Sequence, residues 1–191
     1  MTDSVETNDA ALIEETLAGR SAAFGRLVVK YQDRLYNTMV HQVGHAEDAR
    51  DVVQDAFVQA FLKLDTFKHS SKFYTWLYRI AFHVAISHRR RKRPAASVEQ
   101  AREVLGREPV DPGVGPEDKL EREERRQQVQ AAIASLDEEY RAVLVLREME
   151  GCDYTTIALI LDLPIGTVRS RLHRARLQLR EELKEVLTLE E

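Results

Sequence analysis

Five arginines, Arg169, Arg171, Arg174, Arg176 and Arg180, follow one another with no acidic residue between the first and the last. Arg89, Arg90, Arg91, Lys92 and Arg93 form a second, contiguous cluster. A guanidinium stays charged at any ordinary pH, and its planar donors match phosphate oxygens. The chemistry open to both clusters is therefore capture of a polyanion. No nucleophile–base pair and no phosphate-cradling glycine loop is evident, so no catalytic residue is assigned and an enzyme is not expected. The chain as a whole is no polycation, with a formal charge of −4 and a pI of about 5.9. Residues 1–93 carry 14 Lys/Arg against 11 Asp/Glu, residues 94–128 carry 6 against 9, and residues 129–191 carry 8 against 12. Local fields, not the overall charge, govern contact with a polyanion.

Other candidate chemistry is weaker. Glu47, Asp48, Asp51 and Asp55 could ligate a metal or move protons, but no His or Cys accompanies them at ligand spacing. They fit the start of an amphipathic helix, where acids are favourable. His41 and His45 have the separation of a zinc pair, yet Gly44 intervenes and no third ligand is evident. No metal and no cofactor are expected. The single cysteine, Cys152, excludes an internal disulfide and a Cys-rich zinc site, and it reads as a small filler. No apolar run approaches the roughly 18 residues that cross a bilayer, and the acidic N-terminus lacks the apolar region of a secretion signal. No membrane insertion is expected, and a reducing cytoplasm is the expected compartment.

Apolar residues at helical spacing supply the elements that must position these groups. Phe24, Leu27, Val28, Tyr31, Leu35 and Met39 make one stripe. Ala49, Val52, Val53, Ala56, Phe57, Ala60, Phe61 and Leu64 make a second, expected to be one continuous inward face. A shorter helix is expected over 9–18. Another starts near Phe73, buries Trp76, Leu77, Ile80, Ala81 and Val84, and stops at Pro94. Residues 94–116 hold most of the chain's Pro and Gly punctuation and read as a flexible linker. Beyond it a charged helix runs to about Ala134, and Ser135-Leu136-Asp137-Glu138 offers a capping signal for the next. Gly151 is a plausible stop. Two helices follow, over 154–161 and 165–182, and no strand is evident. The expected fold is all-α: two small helical domains, 1–93 and 117–191, joined by the linker at 94–116.

The last pair of helices carries the arginine run. Ile157, Ala158 and Leu161 face inward in the first; Asp162-Leu163-Pro164 is a turn; Val168, Leu172, Ala175 and Leu179 make a narrow inward stripe in the second. The arginines fall on the remaining faces. Helix, short turn and cationic helix is the helix-turn-helix layout, whose second helix fits a major groove. The competing reading is a solvated face, its arginines paired with Glu181, Glu182 or the acids at 117–124.

The stretch GTVRSRLHRAR, preceded by an I-A-x-x-L-x-L-P turn, resembles the C-terminal promoter-reading domain of bacterial extracytoplasmic-function sigma factors of the sigma-70 family. Ser135 to Arg141, followed by Leu146-Arg147-Glu148, is similar to the preceding helix of that domain. AEDARDVVQDAFVQAFLKL, residues 46–64, looks like the family's polymerase-binding helix, and FYTWLYRIAFHVAISHRRRKR, residues 73–93, like its promoter-melting helix and basic tail. The likeness spans residues 9–182 in the family's order. His83 and Ser87 stand where members often have Asn and Asp, and Asp162 where a Gly is common.

The resemblance implies a specificity subunit that binds core RNA polymerase, on the clamp helices of its largest subunit and on its flap, and directs it to promoter DNA. The C-terminal four-helix domain would read the minus-thirty-five element through Thr167, Arg169, Ser170, Arg171, His173, Arg174 and Arg176, the front residues near base edges and Arg174 and Arg176 on phosphates. The minus-ten element would meet Phe67, Lys68, His69, Ser70, Ser71 and Lys72, with Arg79, His83 and residues Arg89, Arg90, Arg91, Lys92 and Arg93 along the strand. Opening that element requires bases to leave the stack, and aromatic stacking holds each by roughly 1–3 kcal/mol. Core packing is the alternative for Phe67, Phe73 and Trp76. Asp48, Asp51, Gln54, Asp55 and Gln59 would face the clamp. Many relatives are held by an anti-sigma protein, a further partner the family admits. Two rivals make different demands: an autonomous helix-turn-helix regulator would bind duplex sites without polymerase, and a sigma-like adaptor would bind a partner without supporting transcription.

Overall fold

The computed structural model describes residues 3–92 and 116–188, with side chains over 9–91 and 124–184. Among the described residues there are eight helices and no strand: α1 (Asp3–Leu17), α2 (Ser21–Val43), α3 (Ala46–Leu62), α4 (Phe73–Lys92), α5 (Pro116–Ser135), α6 (Glu138–Leu144), α7 (Tyr154–Leu161) and α8 (Ile165–Thr188). A 3-10 turn over Leu64–Thr66 links α3 toward α4, and a π-helical turn over Val145–Met149 continues α6. The all-α expectation holds. The linker expected at 94–116 lies, apart from Pro116, outside the described residues, as does Arg93.

Local chemistry sets the boundaries. Gly44 closes α2 in the left-handed region at φ 86°, its N–H reaching the Val40 carbonyl. Glu47 and Asp48 occupy the first turn of α3, where the helix dipole favours them. Asp162 ends α7 at φ 55°, a geometry a short polar side chain tolerates. Asp137 sits at the N-cap of α6, but its side chain makes no capping bond, so the expected cap is positional only. α1 begins well before residue 9 and α8 continues past 182.

α4 is central, packed on α2 and α3 and touching α7. Its buried sector is accordingly wider than the expected stripe: Leu77, Ala81 and Val84 are joined inside by Tyr74, Tyr78, Phe82 and Ala85, while Trp76 and Ile80 are half-buried. Phe61, expected inside, is 44% exposed; it sits at the margin of the α2–α3 seam, edge-on to Phe24 at 5.1 Å.

The two helical domains, α1–α4 and α5–α8, pack against each other. One apolar core runs through both, and α2 packs against α5, α6 and the π turn. Arg141 buries its guanidinium at this seam, donating to the carbonyls of Gln42 (3.2 Å), Ala134 (2.9 Å) and Leu136 (2.8 Å). Burial pulls its pKa down, with Arg89 adding repulsion. The sequence reading contained no such seam.

Candidate nucleic-acid interface

The α7–α8 corner is built by local bonds. The Asp153 carboxylate accepts the Thr156 N–H at 2.7 Å and caps α7, and this bond holds the carboxyl below its usual range. Arg147 donates to the Cys152 carbonyl at 2.9 Å and lies over the Tyr154 ring, fixing the approach to α7. Cys152 itself is half-buried, and burial pushes its thiol up, which keeps it protonated and inert. After the left-handed Asp162, Pro164 ends the turn and its carbonyl accepts the first N–H groups of α8, from Thr167 (2.9 Å) and Val168 (3.1 Å).

Val168, Leu172 and Ala175 are fully buried, and Leu179 packs at the edge of the core. That anchoring leaves Arg169, Ser170, His173, Arg174 and Arg176 exposed, with Thr167 and Arg171 half-buried. Ser170 turns its hydroxyl onto the Thr167 carbonyl at 3.0 Å. The arginines differ in how free they are. Arg176 holds Glu148 at 2.6 Å, a hydrogen bond that raises its pKa. Arg171 pairs with Glu139 at 2.6 Å. Arg174 reaches the Tyr140 hydroxyl at 3.5 Å, which raises its pKa. Arg169 has no ion-pair partner among the described residues. The acids that hold Arg171 and Arg176 belong to α6 and the π turn; Arg180 meets Glu181 at 3.9 Å.

On α4 a second cationic surface is laid out. His83 is exposed, with Nδ1 2.6 Å from the Arg79 carbonyl, so its other ring nitrogen points away from the helix backbone. Ser87 donates to the His83 carbonyl at 2.9 Å. Arg90 and Arg91 are exposed, Arg79 half-buried, and Arg89 lies 3.3 Å from Glu138. The loop before α4 presents Lys68, His69, Ser70 and Lys72 to solvent, with Ser71 half-buried. His69 holds a positive φ of 53°. Phe67 does not share that exposure: it is buried against Phe73 and Trp76, with only the His69 ring laid over it at 4.7 Å. Phe73 is likewise buried.

α3 offers a third surface. Asp51, Gln54 and Asp55 are exposed, while Asp48 and Gln59 are half-buried. Beside them stand Val58, Phe61 and Leu62, exposed by 54%, 44% and 71%. The sequence reading passed over this apolar patch. Its only trace is Val58 and Leu62, apolar residues off the inward face, beside Phe61, which the spacing places on that face. Among the described residues no group of His, Cys, Asp and Glu could hold a metal, and no helix is long and apolar enough to cross a membrane.

Comparison with known proteins bears on these surfaces. The family model for Sigma-70 region 2 matches residues 27–95, and that for Sigma-70, region 4 matches residues 126–189. The RNA polymerase sigma-H factor of Pseudomonas aeruginosa is 40% identical over 90% of this chain and 91% of its own. The ECF RNA polymerase sigma-E factor of Escherichia coli K12 is 39% identical over 91% and 93%. The ECF RNA polymerase sigma factor SigW of Bacillus subtilis is 35% identical over 91% and 96%. Among solved structures, CnrH in complex with the cytosolic domain of CnrY superposes with a TM-score of 0.67 at 26% identity, over 93% of this chain and 98% of that one. The sigma factor RpoE of Bartonella quintana, in complex with the anti-sigma factor NepR, gives 0.66 at 26%, over 84% and 96%.

Proposed function

The chain belongs to the extracytoplasmic-function sigma factors of the sigma-70 family, and on that premise we propose how its surfaces share the work. The protein binds core RNA polymerase in the cytoplasm and directs promoter-specific initiation. It performs no bond chemistry of its own. Residues 1–93 engage the polymerase and the minus-ten element, residues 117–191 engage the minus-thirty-five element, and 94–116 tether them.

The observation that carries the DNA-reading assignment is the corner at α7–α8: one side of α8 is locked by Val168, Leu172 and Ala175, which presents Arg169, Ser170, His173 and Arg174 outward from the front of the helix. A helix held this way can enter a major groove N-terminus first. Arg169, Ser170 and Arg171, with Thr167 at the entry, meet base edges or the nearest phosphates. His173, Arg174 and Arg176 hold the backbone, supplying affinity without sequence information.

On the other half, Lys68, His69, Ser70, Ser71 and Lys72 rim the site for an unstacked minus-ten base, and Phe67 supports the loop from beneath. Arg79, His83 and the basic end of α4 track the strand. Asp48, Asp51, Gln54, Asp55 and Gln59 dock on the clamp helices of the largest polymerase subunit, and the C-terminal half on its flap. The apolar patch of Val58, Phe61 and Leu62 lies on the same helix, where an exposed apolar cluster favours a protein partner. An anti-sigma protein, which the related Bartonella quintana structure contains, is a further partner.

Run-off transcription from genomic fragments with purified core polymerase tests the reading. Discrete transcripts that require this protein support it. Tight binding to duplex sites without polymerase, with no transcript, would overturn it.

A further inference from the structure

The leading edge of α8 carries no charge and no polar side chain. Pro164, Ile165 and Gly166 stand ahead of the arginine run, and all are exposed. Ile165 is 41% exposed, although Leu161 and Leu163, its apolar neighbours at the corner, pack on the core. A lone exposed isoleucine is ordinary. Its position sets this one apart. It lies one turn ahead of Arg169, at a spacing of four, so the two side chains share a flank of the helix. That end of a reading helix is the one that meets base edges in a major groove.

Gly166 adds an independent observation. A helix disfavours glycine relative to alanine, because glycine gives up more backbone freedom on folding. Gly166 is not among the residues with positive φ, and a Cβ built on it meets nothing within 4 Å. Neither conformation nor packing inside the protein calls for a glycine here. The missing side chain leaves bare backbone beside Ile165, which a surface outside the protein can approach closely.

The groove offers two kinds of surface. Its walls are phosphate, which the arginines suit; its floor is base edges. An uncharged tip gains nothing from the walls. On the floor, the apolar feature is the 5-methyl group of thymine. The other bases present donors and acceptors, for which Ile165 has no partner. We propose that Ile165 reads a thymine 5-methyl group in the minus-thirty-five element, and that Gly166 sets the depth at which it does so. Four residues of helix advance ~6 Å, or about two base steps at ~3.4 Å each, so that thymine lies close to the Arg169 contact. Ile165 touches the base, and Gly166 is a positioning residue that acts through it. The proposal rests on the sigma-factor reading, which supplies the promoter element.

Deoxyuridine in place of thymine removes the methyl group and keeps every donor and acceptor, so it isolates the contact. A promoter selected by run-off transcription is prepared with deoxyuridine at each minus-thirty-five thymine in turn, on either strand, and bound by reconstituted holoenzyme. Burial of one methyl group is worth about fourfold in affinity. The parent should lose about that much at one position and little at the others. Ile165→Ala should bind the thymine template at least about fourfold less tightly, and should no longer distinguish thymine from deoxyuridine at that position. Gly166→Ala separates depth from stability. It should raise the thermal midpoint of the free protein by about 1–4 °C, yet weaken promoter binding at least about fivefold, as an overpacked contact does. A purely structural role for Gly166 would move both readouts in the same direction.

The methyl contact is overturned if the selected promoters carry no thymine in the minus-thirty-five element. It is overturned equally if no single deoxyuridine lowers affinity by about twofold or more, or if Ile165→Ala remains as sensitive to deoxyuridine as the parent. A Gly166→Ala protein that binds the promoter as tightly as the parent overturns the depth assignment. Absence of any polymerase-dependent transcript would sink the sigma-factor reading and the contact with it, whereas transcription indifferent to deoxyuridine sinks the contact alone.

Discussion

Arg169 and Arg176 lie on the same helix but start from different states, and this predicts different losses. Arg169 has no ion-pair partner among the described residues, so its full interaction with DNA is gained on binding. At a base edge that interaction discriminates by about 1–3 kcal/mol, so Arg169→Ala should reduce transcription from a promoter with an intact minus-thirty-five element by about 5- to 150-fold. On a template with that element scrambled, the same variant should lose little. Arg176 must first give up Glu148 at 2.6 Å. An exposed pair of that kind contributes about 0.2–1 kcal/mol, which is subtracted from whatever the phosphate returns. Arg176→Ala should therefore weaken both templates alike, and reduce the slope of log affinity against log salt by about 0.9. Removing the competitor should do the reverse: Glu148→Gln frees Arg176 and should tighten promoter binding about 1.4- to 5-fold. The assay is run-off transcription and filter binding of the reconstituted holoenzyme over a salt series on both templates. Equal losses for Arg169→Ala on intact and scrambled templates would refute its base-reading role, and a Glu148→Gln protein that binds no more tightly would refute the competition.

Three further outcomes are expected. Leu172→Ala removes a side chain that is 1% exposed from beneath the reading helix; urea unfolding should show a loss of about 2–5 kcal/mol, and a loss under 1 would mean that α8 is not anchored as described. Arg141→Leu orphans the carbonyls of Gln42, Ala134 and Leu136 at the seam and should cost about 1–3 kcal/mol or more, with cooperative unfolding of the two halves splitting into separate steps in calorimetry. Burial, then the charge of Glu150, pushes the Tyr74 phenol above its ordinary value. A phenol raised in the folded state contributes stability that is complete below its unfolded value of about 10 and fades as pH climbs beyond it. The thermal midpoint should thus fall above pH 10. Tyr74→Phe should remove part of that fall, and the buried Tyr78, shifted the same way by burial, should retain the rest. A midpoint that is flat from pH 9 to 11.5 would contradict this.

What could be read from the sequence follows the range of the forces involved. The Val168, Leu172 and Ala175 stripe of α8 was legible because helix geometry alone fixes which residues share a face. The left-handed Asp162, and Gly151 as a stop with φ 64°, were legible because few residues tolerate those angles. Other features are set by contacts between distant parts of the chain. Glu150 meets its donors across separations of 76 to 116 residues, and nothing near it in the sequence distinguishes it from a solvated acid. Phe61 continued the inward stripe of α3 by spacing, but while Ala60 and Leu64 are buried it sits at the margin of the seam, edge-on to Phe24. Phe67 was read as a wall that a base could touch, and its burial under His69 depends on where Phe73 and Trp76 meet. The π turn at 145–149 has no local sequence signature, yet it sets where Glu148 and Glu150 emerge.

α8 is 24 residues long, Ile165–Thr188, a rod of ~36 Å, and its charge changes sign along its length. The arginines end at Arg180, and beyond it Glu181, Glu182 and Glu185 outnumber the single Lys184. Near a polyanion the front of the rod is drawn in while its rear is pushed off. It cannot lie flush along a groove or dock back to front. Its own charge gradient tilts it, and this gives the protein a compass heading on DNA before any base is read.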